Sequence, residues 1–412
     1  MDLSAIFNGA PSMTRYALAL CLCLSFAACA EPPSPPSVGG CPSLAGAALV
    51  ASRAPTRLLA IGSNYNSGTS WSAPLDARAL SEIPLGVTGD TVLRPIGDAL
   101  AVLNRSPGMG DNVTLFDLRG GRASLSCQLS PLAPSEWDSS GGARARPFVN
   151  VHDVLPLDDA TLLLARYNLP SLAVVDLATG AVTRTLDLSP WSGAASPYPE
   201  AFARVGTSIW LTLGRLDDPF APRQPGMVLR LDAQATRVID AVELPRPNPS
   251  GPIVAAPEPR TWWVTTLGAY DIVGDGVIET LTERDGAVVV GEPLVTETEL
   301  GGTIDAFAVV DANRLVLKVA VTSARVGPGE GDSLRYLLWN RRDRGARELL
   351  RRAAWSPAPP VVAGGRIWIG DPGDLDARGA GLRAFTLDGD PITAEPLSVG
   401  PGMRPYDLAV AP

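Results

Sequence analysis

The stretch SLAVVDLATGAVTRTLDL, from Ser171 to Leu188, alternates apolar and polar residues on both sides of a Thr-Gly pair. A period of two on either side of a tight turn predicts a β-hairpin with one buried face. Similar hairpins recur about every 40 to 50 residues, the period of propellers and other repeat folds. Each repeat reads as an inner strand, a second strand, a third strand and an outer strand. The pattern predicts an all-β fold of four-stranded blades.

Six blades are complete within the chain, and a seventh is split between its two ends. The strands begin with RLLAIGS at residues 57–63, with no inner strand before it, and end with RPYDLAVAP at residues 404–412, an inner strand with nothing after it. Pairing these ends would complete blade one and remove two open sheet edges. We predict one seven-bladed β-propeller over residues 57–412. The segment GAALVAS, residues 46–52, is an alternative extra strand that would change how blade one closes.

Two of these segments also resemble a known repeat. RPYDLAVAP and LAVVDLATGAVTRTLDL are similar to the repeat of the YVTN-type bacterial β-propellers, which runs Arg-Pro-x-Asp-apolar-Ala-Val and later apolar-apolar-Asp-x-x-Thr-Gly. The match is good between Val149 and Leu188 and in the terminal strand. The resemblance implies the propeller fold and no particular activity, because propellers carry unrelated functions.

Composition agrees with an all-β chain and narrows the partners. With 41 Gly and 39 Pro among 412 residues, the chain holds more helix breakers than a helical protein could absorb. The formal net charge is −9, and the 34 basic residues are scattered without a cluster. This distribution lacks the electrostatic footprint of a nucleic-acid-binding protein. We expect no nucleic-acid partner and a monomer.

The first residues have the layout of a secretory signal. From Met13 the chain shows one basic residue, Arg15, an apolar run from Tyr16 to Phe26, and then small residues. The run is too short to span a bilayer comfortably as a permanent helix. Because the twelve residues before Met13 suit a signal poorly, translation could begin at Met13. We predict a signal peptide over residues 1–28.

The end of this signal resembles the lipobox of bacterial lipoproteins. In FAAC, small residues precede Cys29, which would be acylated and become the mature amino terminus. The Pro/Ser-rich sequence that follows suits an extended tether, which we place at residues 29–56. The resemblance implies an exported protein, lipid-anchored in the bacterial envelope, at the outer membrane, whose only membrane contact is the lipid. The alternative is ordinary signal cleavage near Ala30.

Cysteine usage then predicts a disulfide. Outside the signal and Cys29, only Cys41 and Cys127 remain. Two cysteines in an oxidising compartment suggest one bridge, which would pin the tether onto blade two. Two separate reduced cysteines are the alternative.

Loop lengths point to one face of the disc. Since blade strands are antiparallel, turns after inner and third strands share one face, here the turn face, and loops after second and outer strands share the other, here the loop face. The long predicted segments fall almost entirely on the loop face, which makes it the candidate binding face. Recognition is expected around Trp137, Asp217 and Asp374 in three of these loops.

The loop face also holds the starts of the inner strands, where four blades align an acid. These acids are Asp153, Glu200, Asp305 and Asp407. Four carboxylates around one channel mouth could hold Ca²⁺ or another divalent ion, or a cationic ligand. The alternative is that each acid accepts backbone hydrogen bonds within its own blade. His152, the only histidine, is expected to be structural. Adjacent residues in a strand point to opposite sides, so the Asp153 side chain would not orient the imidazole as a base.

Two functions remain open. The first is a non-catalytic binding or scaffold propeller that recognises a protein, peptide or glycan, with no cofactor expected. The second is a metal-dependent propeller hydrolase, lactonase-like, with the acids as its metal site. The chain has no nucleophile elbow, zinc motif or phosphate-cradling glycine loop, which favours binding.

Overall fold

The strands form seven antiparallel sheets. Within each sheet, consecutive strands of the chain pair with each other, except that the last strand of the chain joins the first sheet. The computed structural model describes residues 40–41, 44, 49–50, 53–107, 110–119, 122–136, 147–218, 222–269, 274–321 and 333–412. Blade one comprises β28 (Arg404–Ala411), β1 (Arg57–Ser63), β2 (Gly68–Pro74) and β3 (Ser81–Glu82). Blade two comprises β4 (Thr91–Ile96), β5 (Ala99–Ser106), β6 (Gly110–Asp117) and β7 (Ser124–Leu129).

The next three blades repeat this order. Blade three comprises β8 (Val151–Pro156), β9 (Thr161–Arg166), β10 (Ser171–Asp176) and β11 (Val182–Asp187). Blade four comprises β12 (Pro199–Val205), β13 (Ser208–Leu213), β14 (Met227–Asp232) and β15 (Val238–Glu243). Blade five comprises β16 (Pro249–Ala255), β17 (Thr261–Thr266) and β18 (Val277–Arg284), with its outer edge split into β19 (Ala287–Val290) and β20 (Val295–Thr296). A one-turn helix, Glu297–Leu300, follows.

The last two blades complete the disc. Blade six comprises β21 (Thr303–Val309), β22 (Arg314–Val321), β23 (Ser333–Asn340) and β24 (Ala346–Arg352). Blade seven comprises β25 (Val361–Ala363), β26 (Arg366–Asp371) and β27 (Gly381–Thr386). Its outer position is taken by a segment that meets β27 through bridges at Pro391 and Leu397. No helix among the described ranges is both long and apolar enough to cross a membrane.

The predicted closure of the ring is confirmed. The last strand, β28, pairs with β1 from Arg57↔Ala411 to Ser63↔Arg404, so blade one takes its inner strand from the end of the chain. Because both edges of β1 are then paired, the split repeat leaves no open edge there. Most of GAALVAS lies outside the described residues.

The core lies between the blades. Seven apolar clusters separate the seven pairs of adjacent sheets, each built from inward-facing residues of both sheets. The alternation seen in the sequence produces this arrangement, because each blade must bury both faces of its inner three strands. The outer strands show the opposite pattern, with every second residue exposed in β11 and β15.

The segment before blade one crosses the turn face. Cys41 is disulfide-bonded to Cys127 in β7, with Cα atoms 5.2 Å apart. Leu44 and Leu49 are buried in the cluster between blades two and three. Leu49 N–H donates to Asp159 at 3.0 Å, in a tight turn of blade three. The predicted bridge is confirmed, and the described part of the predicted tether is docked on the propeller.

Candidate functional site

Connections on the two faces differ in length. Those of the turn face span two to six residues, whereas the loop-face connections between second and third strands span nine to thirteen residues in blades four to seven. Segments that exceed the minimal length commonly carry function. The loop face is therefore the candidate binding face, as the sequence predicts.

Register shifts lie beside the four acids that the sequence pattern aligns. In blades one, three, four and six, a β-bulge near the start of the inner strand inserts one residue against the second strand. A bulge changes which side of the sheet the following side chains face. The inserted position is occupied by Tyr406, His152 and Asp305 in blades one, three and six, and Asp407 and Asp153 follow one residue later. In blade four, Glu200 and Ala201 together lie opposite one residue of the second strand.

Asp153 and Asp407 join neighbouring blades. Asp153 Oδ2 accepts the N–H of Phe202 in blade four at 2.8 Å, and Asp407 Oδ2 accepts the N–H of Leu93 in blade two at 2.7 Å. Arg94 Nε also donates to Asp153 Oδ1 at 2.7 Å. Burial raises the pKa of both carboxyls, opposed by the charge of Arg94 and by these backbone donors. Each of these two acids thus accepts a backbone hydrogen bond from a neighbouring blade, in addition to one from its own strand.

Glu200 instead orients the histidine. His152 Nδ1 lies 2.6 Å from Glu200 Oε2, and the imidazole stacks on Tyr167 with ring centroids 3.8 Å apart. Burial lowers the pKa of His152, although the charge of Glu200 opposes it. Burial also raises the pKa of Glu200, but His152, the charge of Arg105 and the N–H of Gly251 together make the net shift downward. A neutral imidazole with its proton on Nδ1 would leave Nε2 as an acceptor.

Asp305 pairs with the only lysine of the chain. Its Oδ2 lies 2.5 Å from Lys318 Nζ, and the Lys318 side chain is fully buried. Burial lowers the pKa of Lys318, and the charge of Asp305 opposes this shift. The ammonium also lies 5.0 Å from the ring centroid of Trp355. Asp305 therefore neutralises a buried cation.

Two of the three predicted loop residues have carboxylates that bond within their own loops, and the Asp374 loop also contacts Arg404 at the start of the blade-one inner strand. Asp217 accepts the N–H of Arg223 at 2.8 Å, and Asp374 accepts the N–H of Arg378 at 2.8 Å, so each carboxylate holds its own loop in shape. Backbone hydrogen bonds lower the pKa of Asp217. Desolvation raises the pKa of Asp374, but the charge and hydrogen bonds of Arg378, together with the N–H of Asp376, make the net shift downward. Trp137 lies outside the described residues.

These contacts bear on the predicted cation site. Within the described ranges, no three or more His, Cys, Asp or Glu side chains are grouped so that they could hold a metal ion. The four acids are instead engaged by backbone N–H groups, His152 or Lys318. A calcium site at the mouth would need several carboxylate oxygens turned toward one point.

A cavity that the sequence did not reveal opens on the loop face where blades one, six and seven meet. Its volume is about 350 Å³, and its walls include Tyr65, Trp355, Leu375, Tyr406 and Arg404. Tyr65, Trp355 and Leu375 are exposed by 56%, 44% and 66%, which is unusual for large apolar side chains. In the sequence, Tyr65 lies in a turn and Trp355 in an inter-blade loop, and neither position carries a repeat signal.

Comparison with known proteins supports the fold. No protein-family model matches the chain, and no curated protein matches it. A structure from Bacteroides uniformis, provisionally named a 6-phosphogluconolactonase, aligns with a TM-score of 0.55 at 11% identity, over 87% of this chain and 100% of its own. A Bacteroides fragilis protein with the same provisional name aligns with a TM-score of 0.53 at 10% identity, over 87% and 99%. At such identities the likeness shows the propeller fold alone.

Proposed function

We propose that this protein is an exported, lipid-anchored bacterial propeller that binds a protein, peptide or glycan through its loop face without catalysing a reaction. The observation that carries the proposal is the placement of exposed apolar side chains. Three of the largest, Tyr65, Trp355 and Leu375, line one loop-face cavity. The others within the described residues lie on outer edges of blades or in the N-terminal segment: Val50, Leu125, Ile239, Val289 and Ile392.

Two turn-face cavities lined by described residues differ from it in their walls. One of about 410 Å³ has walls that include Arg53, Arg57 and Arg119, and a second of about 260 Å³ beside it has mostly apolar walls that include Leu59 and Ile83. Neither contains an exposed aromatic side chain. Ligand sites combine apolar and aromatic walls with a few polar groups. The loop-face cavity, whose walls include aromatic side chains, fits this description better than the two turn-face cavities.

The N-terminal segment supports the same face. Cys41 N–H donates to Leu177 O, and Thr56 N–H donates to Ala411 O at 2.8 Å, so residues 41 and 56 both lie at turn-face ends of strands. If Cys29, twelve residues before Cys41, carries the lipid, the chain from the membrane would reach the propeller at its turn face. The loop face would then point away from the membrane, toward soluble or neighbouring partners.

Two measurements test the proposal. Labelled palmitate should enter the wild type and not Cys29→Ala; equal labelling of both would contradict the anchor. The soluble chain should bind members of a panel of peptides and oligosaccharides, and the double change Tyr65→Ala with Trp355→Ala should remove that binding. The matched turn-face change, Arg122→Ala, should leave it intact. Binding that survives the loop-face change would contradict the chosen face.

The His152–Glu200 pair favours a second candidate, a hydrolase. A histidine oriented by a carboxylate can act as a general base toward water. The metal-dependent form has less support, since the four acids are engaged elsewhere. Gluconolactone hydrolysis by the wild type, with and without a chelator, tests both forms. Turnover that His152→Asn removes would replace the binding proposal with a hydrolase, whereas turnover no faster than the uncatalysed rate supports binding.

A further inference from the structure

The cavity at blades one, six and seven presents two aromatic side chains in defined orientations. Tyr65 contacts Tyr406 edge to face, with ring centroids 5.6 Å apart. Lys318 lies over the Trp355 ring and is fully buried, whereas Trp355 is 44% exposed. The exposed part of the indole must therefore be the part turned away from Lys318. Rigid aromatic surfaces that face solvent are suited to stacking on a flat apolar ligand face.

Tyr65 occupies this place at a conformational cost. Its φ is 67°, in the left-handed region that glycine or asparagine adopts more readily. Asn64 Oδ1 accepts the N–H groups of Asn66 and Ser67, and Ser63 Oγ accepts the N–H of Tyr65 at 2.9 Å, so the turn is firmly held. A tyrosine at a position where a smaller residue would cost less is consistent with use of its side chain.

The charge of the walls indicates what the ligand is not. Arg404 and Asp376 are the only Arg, Lys, Asp or Glu side chains among the lining residues, and their charges cancel. Arg404 already donates to the carbonyls of Pro372, Asp374 and Leu375. Phosphate and carboxylate recognition requires cationic donors directed at the ligand. The cavity therefore does not suit a phosphorylated or strongly anionic ligand.

Exposed aromatic side chains and walls without net charge suit a ligand with an apolar face and many neutral hydroxyl groups. We propose that this cavity binds an uncharged carbohydrate, with a sugar ring stacked on Trp355 or Tyr65. The exposed side chains of Asn64 and Asp376 supply polar atoms at the walls for its hydroxyls. A volume of about 350 Å³ lies at the lower end of small-molecule sites and fits a short oligosaccharide. The inference rests on the proposed binding function and names its ligand class.

Titration of the full chain with neutral gluco-, galacto- and manno-oligosaccharides tests the inference, by calorimetry and by tryptophan fluorescence. At least one series should bind, and 6-phosphogluconate should bind more weakly than that series. Trp355→Ala and Tyr65→Ala should each raise Kd by about tenfold or more, as loss of a stacking residue does at a binding centre. Trp355→Phe, which keeps a ring, should recover most of the affinity.

Controls separate the possible failures. Ile392→Ala removes an exposed apolar side chain at the outer edge of blade seven and should leave Kd unchanged. Melting curves of every variant check folding, and Trp355→Phe covers the case in which Trp355→Ala unfolds by uncovering Lys318. Peptide binding that Trp355→Ala removes, without saccharide binding, overturns the carbohydrate inference and leaves the proposed function standing. Tighter binding of 6-phosphogluconate also overturns it. Saccharide binding that ignores both aromatic residues overturns the site and the proposed face together.

Discussion

Asp153 and Asp407 should hold the ring of blades together, and replacing each with asparagine measures how much. Each buried carboxylate accepts an N–H from the next blade, and Asp153 also accepts from Arg94. Asparagine can keep the backbone bond only in a weaker form, because a neutral amide oxygen accepts less strongly than a carboxylate. In Asp153→Asn the amide nitrogen would also face the Arg94 guanidinium and leave donors unsatisfied. Loss of a hydrogen bond to a charged group costs about 1.5 to 3 kcal/mol. We expect that range for Asp153→Asn and its lower half for Asp407→Asn.

Thermal and urea unfolding provide the assay. An unfolding entropy of about 2.1 cal/mol/K per residue over 412 residues converts about 1.5 to 3 kcal/mol into a fall of about 2 to 3.5 °C in Tm. Hydrogen exchange should quicken at the Phe202 amide in Asp153→Asn and at the Leu93 amide in Asp407→Asn. The control is Asp388→Asn, which removes an exposed carboxylate paired with Arg314 and should cost less than about 1 kcal/mol.

A different outcome would refute this reasoning. If Asp153→Asn and Asp407→Asn melt like Asp388→Asn but abolish calcium binding that the wild type shows, the acids are ligands and not inter-blade acceptors. Loss of stability without any change in cation affinity supports the structural role.

Three further predictions concern the closing strand, the disulfide and Glu297. Deleting residues 404–412 should unfold or aggregate the chain, because β28 supplies the inner strand of blade one and buries Leu408; a soluble product with unchanged Tm would mean that the ring closes elsewhere. Reducing Cys41–Cys127, which closes an 86-residue loop, should cost about 4 to 5 kcal/mol in the chain-entropy model, or about 5 °C in Tm; two free thiols in the unfolded, unreduced mature protein would contradict the bridge. Burial raises the pKa of Glu297 to about 7 against three backbone donors, so its stabilising contribution is complete below about pH 4.5 and is lost as the pH rises through about 7; the Tm of Glu297→Gln relative to wild type should therefore rise between about pH 5 and pH 8, and a flat difference would contradict the shift.

The fold was predictable because alternation and turn chemistry act locally. The hairpin from Ser171 to Leu188 pairs in the structure as its pattern indicates, from Ser171↔Asp187 inward. Closure was equally readable, since a missing first strand and a surplus last strand complete each other. The bridge between Cys41 and Cys127 followed from their being the only two cysteines outside the predicted signal peptide and Cys29.

The site was less predictable for two physical reasons. A β-bulge adds one residue without changing the apolar pattern, so Asp153 and Asp305 look equivalent in the sequence although only one occupies the inserted position. The second reason is that cavity walls come from segments far apart in the chain. Tyr65 and Trp355 are brought together only by ring closure, and neither belongs to the repeat. The orientation of His152 by Glu200 similarly depends on contact between adjacent blades.

The central claim is that the loop-face cavity is the binding site. A crystal structure of the full chain soaked in the neutral oligosaccharide that binds it best addresses this directly. We predict density for a sugar ring against Trp355 or Tyr65, within hydrogen-bond reach of Asn64 or Asp376. Density in the central channel beside His152 and Glu200, or in the turn-face cavities near Arg57, would contradict the account.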